Sequence, residues 1–428
     1  IILIYNMKTS EIQLLIEKTK QIDFIAQGLN THYSPNHIGQ TTKEHCEKQF
    51  TILEFALNKN YDKLTAMIEN EHVKEKDFLY TTVDDVSSVF NHLLTGLTDS
   101  DLKVLLATVA THDIGKVNPK WAKDKLNLDG VEFIAHDYDS RIILDNNPKI
   151  LSEFNLNNSE RNLVLDLVKY HSVPGQYFFG EGNLSAYQPI MNYARSINSE
   201  NPLKLARIHG LIDVMSALNH GFVKPILASH QKMSDLISAV YNEGGSLGDA
   251  FKREAENATN DLKNIKEKYS LASNSIYRLI KLTGLNKDDA NTIDEALSEL
   301  DNSFILEFNT ATSSETTWFG TYIANAFGGG LKRAFGNDAT NDDLKEVVKT
   351  TVKVIAGASA YHGSFGSNSY ALSSVTPGLM IVDGKKDLIL EEVNQLTNLT
   401  VTVTQLSNQN KGLYARGNKD AIEISYKL

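Results

Sequence analysis

The chain has 428 residues, of which 41% are hydrophobic and 22% charged, and a formal net charge of −11. That length allows two domains with a substantial core, and the composition is that of an ordinary globular protein. The acidic balance argues against a long nucleic-acid partner, because phosphate backbones are gripped mainly by Lys and Arg. The single cysteine, Cys46, excludes an intramolecular disulfide and suits a reducing compartment.

The opening Ile1-Ile2-Leu3-Ile4-Tyr5 is apolar but far too short to span a bilayer or form a signal core, and Met7 reads as the start. Nothing later approaches a transmembrane run, so a soluble, cytoplasmic protein without a membrane partner is expected. Apolar residues at three- and four-residue spacing predict helices over 12–25, 44–57, 61–68, 83–97 and 102–110. Asn158-Ser159 reads as the start of a helix over 160–170, and 202–218 is another helical stretch. Residues 241–248, with Gly244-Gly245-Ser246, read as a linker, which divides the chain into domains 1–240 and 241–428.

Beyond that linker, 249–300 is again helical and strongly charged. Gly328-Gly329-Gly330 followed by Lys332-Arg333 lacks the Walker spacing and a preceding strand, so it reads as a turn rather than a phosphate cradle. The Gly-, Ser- and Ala-rich stretch 356–369 reads as a loop or tight packing surface. From about Ser374 the pattern changes. Residues 379–382 and 388–390 flank Asp383-Gly384 as a hairpin, and 399–403 and 421–426 read as further strands. The expected fold class is therefore mainly α: a helical bundle, then a second helical and mixed α+β region with C-terminal strands.

The chemistry concentrates in the run Ala110-Thr111-His112-Asp113-Ile114-Gly115-Lys116. Adjacent side chains on a helix diverge by about 100°, so His112 and Asp113 can share a metal only where the helix ends. Gly115 permits a sharp exit there. Imidazole and carboxylate are borderline and hard ligands, suited to one or two divalent ions such as Mn, Fe, Mg, Co, Ni or Zn. Cys46 reads as a small buried residue rather than a nucleophile.

The run resembles the signature of the HD superfamily of metal-dependent phosphohydrolases. Members supply an earlier histidine, the His-Asp pair, often two further histidines, and a late aspartate. Residues at similar stations here are His136 in Ala-His-Asp-Tyr-Asp, His171 in Lys-Tyr-His-Ser-Val-Pro-Gly and Asp213 in Gly-Leu-Ile-Asp-Val-Met. The first histidine is His45 or His92. His45 is favoured, with 60–85 as an insertion before the His-Asp helix. The resemblance implies a metal set of His45, His112, Asp113, His136, His171 and Asp213, with Asp113 bridging two ions and acting in catalysis.

It also implies that Lys116 contacts a phosphate oxygen. The substrate class implied is a nucleotide or another small phosphoester, hydrolysed by a metal-activated hydroxide. After His171 the chain lacks the double histidine and Gly-Tyr-Pro run of cyclic dinucleotide phosphodiesterases, so that substrate has no support. Tyr177, Phe178 and Phe179 are read as stacking on a base, lining a pocket rim, or packing in the core. His209 is placed outside the direct ligands, Asp137 and Asp139 either orient a ligating imidazole or lie on a solvated surface, with the surface favoured, and His220 and His230 are placed at helix ends or on the surface. Two other functions remain open: a di-iron oxygenase of the inositol oxygenase type, which uses a similar ligand set, and a catalytically silent regulatory module.

Overall fold

Short polar caps decide where several of the helices begin. Thr82, Thr98 and Asn157 each accept a backbone N–H from the residue three positions on, while Asp85, Asp101 and Glu160 reach back to the cap backbone. Each reciprocal box satisfies two donors that the first helical turn leaves open, and such a cap contributes about 1 kcal/mol. The computed structural model describes residues 42–71, 82–116, 136–178, 184–216, 224–313 and 338–364, with isolated positions 123, 124, 126, 128 and 335. Among these residues the chain is mainly helical and holds no strand. The predicted helix 12–25, the tri-glycine turn and every predicted C-terminal strand lie outside the described residues.

The described residues of 1–175 and 186–245 form one compact unit, and those of 176–185 and 246–428 form a second. In the first unit the helices run α1 (Thr42–Leu57), α2 (Tyr61–Glu71), α3 (Val83–Leu94), α4 (Asp99–Thr111), α5 (His136–Asn146), α6 (Asn158–Lys169), α7 (Val173–Phe178, shared with the second unit), α8 (Gln188–Ser196), α9 (Asn201–Ser216) and α10 (Lys224–Glu243). The predicted helices 44–57, 61–68, 83–97, 102–110, 160–170 and 202–218 each correspond to one of these, with ends shifted by a few residues.

Helix α9 is the centre of the first unit, packed by α1, α3, α4 and α8. It is buried on nearly every face, from Pro202 through Ser216. A helix apolar all round belongs inside a fold, and this one carries only isolated polar groups. One is Arg207, whose guanidinium donates to Glu200 Oε1 at 2.6 Å and to the Leu203 and Ser234 carbonyls. Those acceptors are what makes a buried cation tolerable.

The predicted linker is shorter than expected. Helix α10 continues to Glu243, and the next helix starts at Leu247. The break is made by Gly244 and Gly245, with φ of 92° and 87°, which side-chain-bearing residues rarely adopt. Arg195 at the end of α8 donates to the Gly245 carbonyl at 2.9 Å and holds that turn.

The second unit contains α11 (Leu247–Ala258), α12 (Lys263–Tyr269), α13 (Ser273–Thr283), α14 (Ala290–Ser298), α15 (Asn302–Thr312) and α16 (Asn341–Ser364). Its core joins Ile276, Leu279, Ile293, Leu297, Phe304, Phe308, Val348, Val352 and Ile355. Helix α16 runs through part of the stretch expected to be a loop at 356–369. Small residues there are compatible with a helix, since Ala is its strongest former. Tyr177 and Phe178 are buried within this unit, and the Tyr177 hydroxyl donates to Glu254 at 3.1 Å. Both are packing residues here, while Phe179 lies outside the described set.

Candidate metal centre

The first unit brings its His and Asp side chains together from separate segments. His45 comes from the first turn of α1 and Asp213 from the last turn of α9. His112 caps the C-terminus of α4 in helical conformation, and Asp113 follows at the turn into the 3-10 segment Ile114–Lys116. His136 opens α5, and His171 sits in the turn after α6. His92 is exposed on α3, so the structure brings His45 and not His92 into the group.

Two close approaches position these segments. A Cβ on Gly115 would lie 2.1 Å from the His136 carbonyl oxygen and 2.5 Å from the Ser140 nitrogen. Gly115 is therefore required by the proximity of α5, and not by a left-handed φ, which it does not have. The Gly115 N–H donates to Ser140 Oγ at 2.7 Å, and that hydroxyl lies 2.6 Å from both the His112 and His136 carbonyls. One serine thus ties the His-Asp turn to the start of α5. Gly210 does the same for His171: a Cβ there would lie 2.1 Å from Pro174 Cγ.

The ring nitrogens have assigned tasks. His112 Nδ1 donates to the Val109 carbonyl at 3.0 Å, and His171 Nδ1 to the Val168 carbonyl at 2.7 Å. Ser216 Oγ donates to the Asp213 carbonyl at 2.8 Å, which leaves it to accept from His45 Nδ1 at 3.0 Å. With Nδ1 tied to these acceptors, each Nε2 points inward, the orientation that metal-binding histidines take.

Those Nε2 atoms face carboxylates. His45 Nε2 is 2.9 Å and His112 Nε2 3.4 Å from Asp213 Oδ1. Asp113 Oδ2 lies 3.4 Å from His112 Nε2 and 3.7 Å from His45 Nε2. On the other side, His136 Nε2 and His171 Nε2 are each 3.6 Å from Asp113 Oδ1 and 3.0 Å from one another. Asp113 Oδ1 is buried with no hydrogen-bond partner. Acceptors crowded around an orphaned carboxylate oxygen are the arrangement that a cation resolves.

The donor set fits a divalent ion. His45, His112 and Asp213 form one group whose ligand atoms lie within 4.8 Å of one another, and His112, Asp113 and His171 form a second. His136 adds a nitrogen on the Asp113 Oδ1 side. Imidazole and carboxylate together suit first-row divalent ions or Mg, with Asp113 placed between the two groups.

Burial and charge oppose each other in this cluster. Burial alone would raise the Asp113 carboxyl, yet His112 and Lys116 hold it well below the usual carboxylate range. Asp213 is likewise held well below, against its burial, by His112 and His45. Burial lowers His45, and it lowers His136 strongly with help from Lys116 and His171. For His112 burial is outweighed by Asp113 and Asp213, and its pKa is pushed up to about 9.

A histidine raised from 6.5 to about 9 stabilises the folded chain fully below 6.5. That contribution disappears as pH climbs through about 9. Metal affinity should run the opposite way, because an ion must displace the His112 proton. Calorimetric titration of chelator-treated protein with Mn²⁺ should show affinity rising about tenfold per pH unit towards about pH 9. A flat profile would contradict this assignment.

Several contributors carried weaker sequence signals. Gln49 is buried one turn after His45, and Ser216 stands one turn after Asp213. Helical spacing alone puts each on the ligand's face. His209 is buried with its ring edge-on to His112 at 4.8 Å between centroids, and its Nε2 has no hydrogen-bond partner. Lys116 turns inward and donates to Asp113 Oδ2 at 2.7 Å.

Three residues differ from the surface positions expected of them. Asp137 and Asp139 are buried, and Asp137 Oδ2 accepts from Ser172 at 2.7 Å. Both stand in the first turn of α5, and the Ser172 contact sets Asp137 against the turn holding His171. His230 is buried in α10, which pulls its pKa down to about 3. His220 lies outside the described residues.

No family model, curated protein or solved structure matches this chain. Among the described residues, no helix is long and apolar enough to cross a membrane.

Proposed function

We propose that the chain is a metal-dependent phosphohydrolase or phosphodiesterase acting on a nucleotide or other small phosphoester, as its resemblance to the HD superfamily implies. The observation that carries this reading is the convergence of His45, His112, His136, His171, Asp113 and Asp213 on two adjoining donor groups. His45, His112 and Asp213 would hold one divalent ion. His136 and His171 would hold a second, with Asp113 shared between them. Such ions supply hydroxide near neutral pH and neutralise charge on a phosphoryl group.

The chain's own residues do the rest. Val109, Val168 and Ser216 lock the rings so that each Nε2 faces inward. Lys116 holds Asp113 by one oxygen and leaves the other facing His136 and His171. Charge balance supports an anionic substrate. Two carboxylates against Lys116 and one divalent ion leave the centre net positive, which reverses the local sign of an acidic protein. A positive centre attracts phosphate.

The test is elemental analysis of protein purified without chelator, followed by a phosphoester panel with Mn²⁺ and Mg²⁺. Bound divalent metal and metal-dependent release of phosphate or alcohol are expected. Lys116→Ala should lower turnover with metal content preserved. Absence of bound or bindable metal contradicts the reading. Oxygen uptake with polyols and no phosphoester cleavage would favour the oxygenase, which requires the same ligand types.

A further inference from the structure

Gln49 is fully buried on α1 and reaches into the first donor group. Its Nε2 lies 2.9 Å from His45 Nε2, 3.2 Å from His112 Nε2 and 2.8 Å from Asp213 Oδ1. Those residues are the same three that form the first donor group. An amide nitrogen carries two N–H bonds, so it cannot donate to all three of these atoms at once. At the other end of the amide, Gln49 Oε1 is buried and makes no hydrogen bond. A buried amide oxygen without a donor is uncommon in native proteins and calls for an explanation.

The two ends of a glutamine amide are nearly the same in shape, and its terminal torsion is broad and roughly two-fold. A half-turn about Cγ–Cδ therefore exchanges Nε2 for Oε1 without moving α1. It would set an oxygen beside two imidazole nitrogens and a carboxylate oxygen. Amide carbonyl oxygen is a hard, neutral ligand for Mg, Mn and related ions.

We propose that Gln49 is a further metal ligand, acting through Oε1 together with His45, His112 and Asp213. Its amide is a two-way element. The nitrogen serves the acceptors when the ion is stripped, and the oxygen serves the ion when it binds. A neutral ligand holds a divalent ion without cancelling its charge, so that charge stays available to an anionic substrate. A glutamate at this position would bind the ion and weaken that attraction. The inference rests on the metal-site reading above and adds to it a ligand that the HD resemblance does not supply.

The test uses the full chain, stripped with chelator and titrated calorimetrically with Mn²⁺ and Zn²⁺. Wild type is compared with Gln49→Ala, Gln49→Met and Gln49→Glu, and far-UV circular dichroism checks that each is folded. Alanine and methionine should weaken binding by at least about tenfold, and glutamate should retain or tighten it. The visible absorption of Co²⁺-loaded protein reports the donor set directly and should change in Gln49→Met. Equal or tighter affinity in Gln49→Ala and Gln49→Met, with an unaltered Co²⁺ spectrum, overturns the role of Gln49 and leaves the metal site standing. Wild type that binds neither ion overturns the metal site, and this inference falls with it. Should the alanine variant fail to fold, the near-isosteric methionine and glutamate variants decide the question.

Discussion

Asp113→Ala should abolish metal uptake and phosphoester hydrolysis and also destabilise the fold by about 3 kcal/mol or more. The second effect follows from Lys116, whose buried ammonium is paired with Asp113 Oδ2 at 2.7 Å. Removing the carboxylate breaks that buried ion pair. His112→Ala should abolish metal uptake equally and leave the fold more stable than Asp113→Ala does, because it takes away a positive charge rather than its partner. Urea unfolding and Mn²⁺ calorimetry on the same preparations separate the two effects. Wild-type metal affinity in either variant would refute the assignment.

The second large effect distinguishes two histidines that the sequence leaves in competition. His45→Ala should weaken metal binding by at least about a hundredfold, beyond the loss typical of residues that merely support a ligand. His92→Ala should leave it unchanged within about twofold. His45 is buried with its Nε2 2.9 Å from Asp213 Oδ1, whereas His92 is exposed on α3. The contrast also tests the reading of 60–85, the stretch that holds α2, as an insertion. Depletion of the ion by His92→Ala alone would show that the cluster is built around a different first ligand.

Much of this cluster is legible from local pattern because its residues sit where helices start or stop. His112-Asp113 falls at the end of α4, and His171 follows the end of α6. At such positions neighbouring side chains can converge, and end signals are strong in sequence. Gly115 was also legible, though for the wrong reason. The sequence suggests a residue that permits a sharp exit, while the structure needs glycine because α5 approaches too closely for a side chain.

What escaped notice depends on tertiary packing. Asp137 and Asp139 look like solvated charges at a helix start, yet both are buried, and Asp137 lies against the His171 turn through Ser172. Lys116 turns inward to Asp113 Oδ2, whereas spacing alone is equally compatible with an outward lysine. Gln49 was silent because a glutamine in a charged helical turn ordinarily faces water. Beyond His45 one turn earlier, its partners come from α4 and α9, far away in sequence. The break between the two units was overestimated for a local reason. A Gly-Gly-Ser-Leu-Gly run resembles a flexible linker, yet Ser246 caps α11 by accepting from the Asp249 N–H, so the helix starts within it.

The central claim is that these imidazoles and carboxylates grip a divalent cation. Anomalous diffraction from crystals soaked in Mn²⁺, recorded across the manganese absorption edge, tests it most directly. The account predicts a manganese peak among His45 Nε2, His112 Nε2 and Asp213 Oδ1, with any second peak beside Asp113, His136 and His171. Anomalous density confined to surface carboxylates, with none inside the cluster, would contradict it.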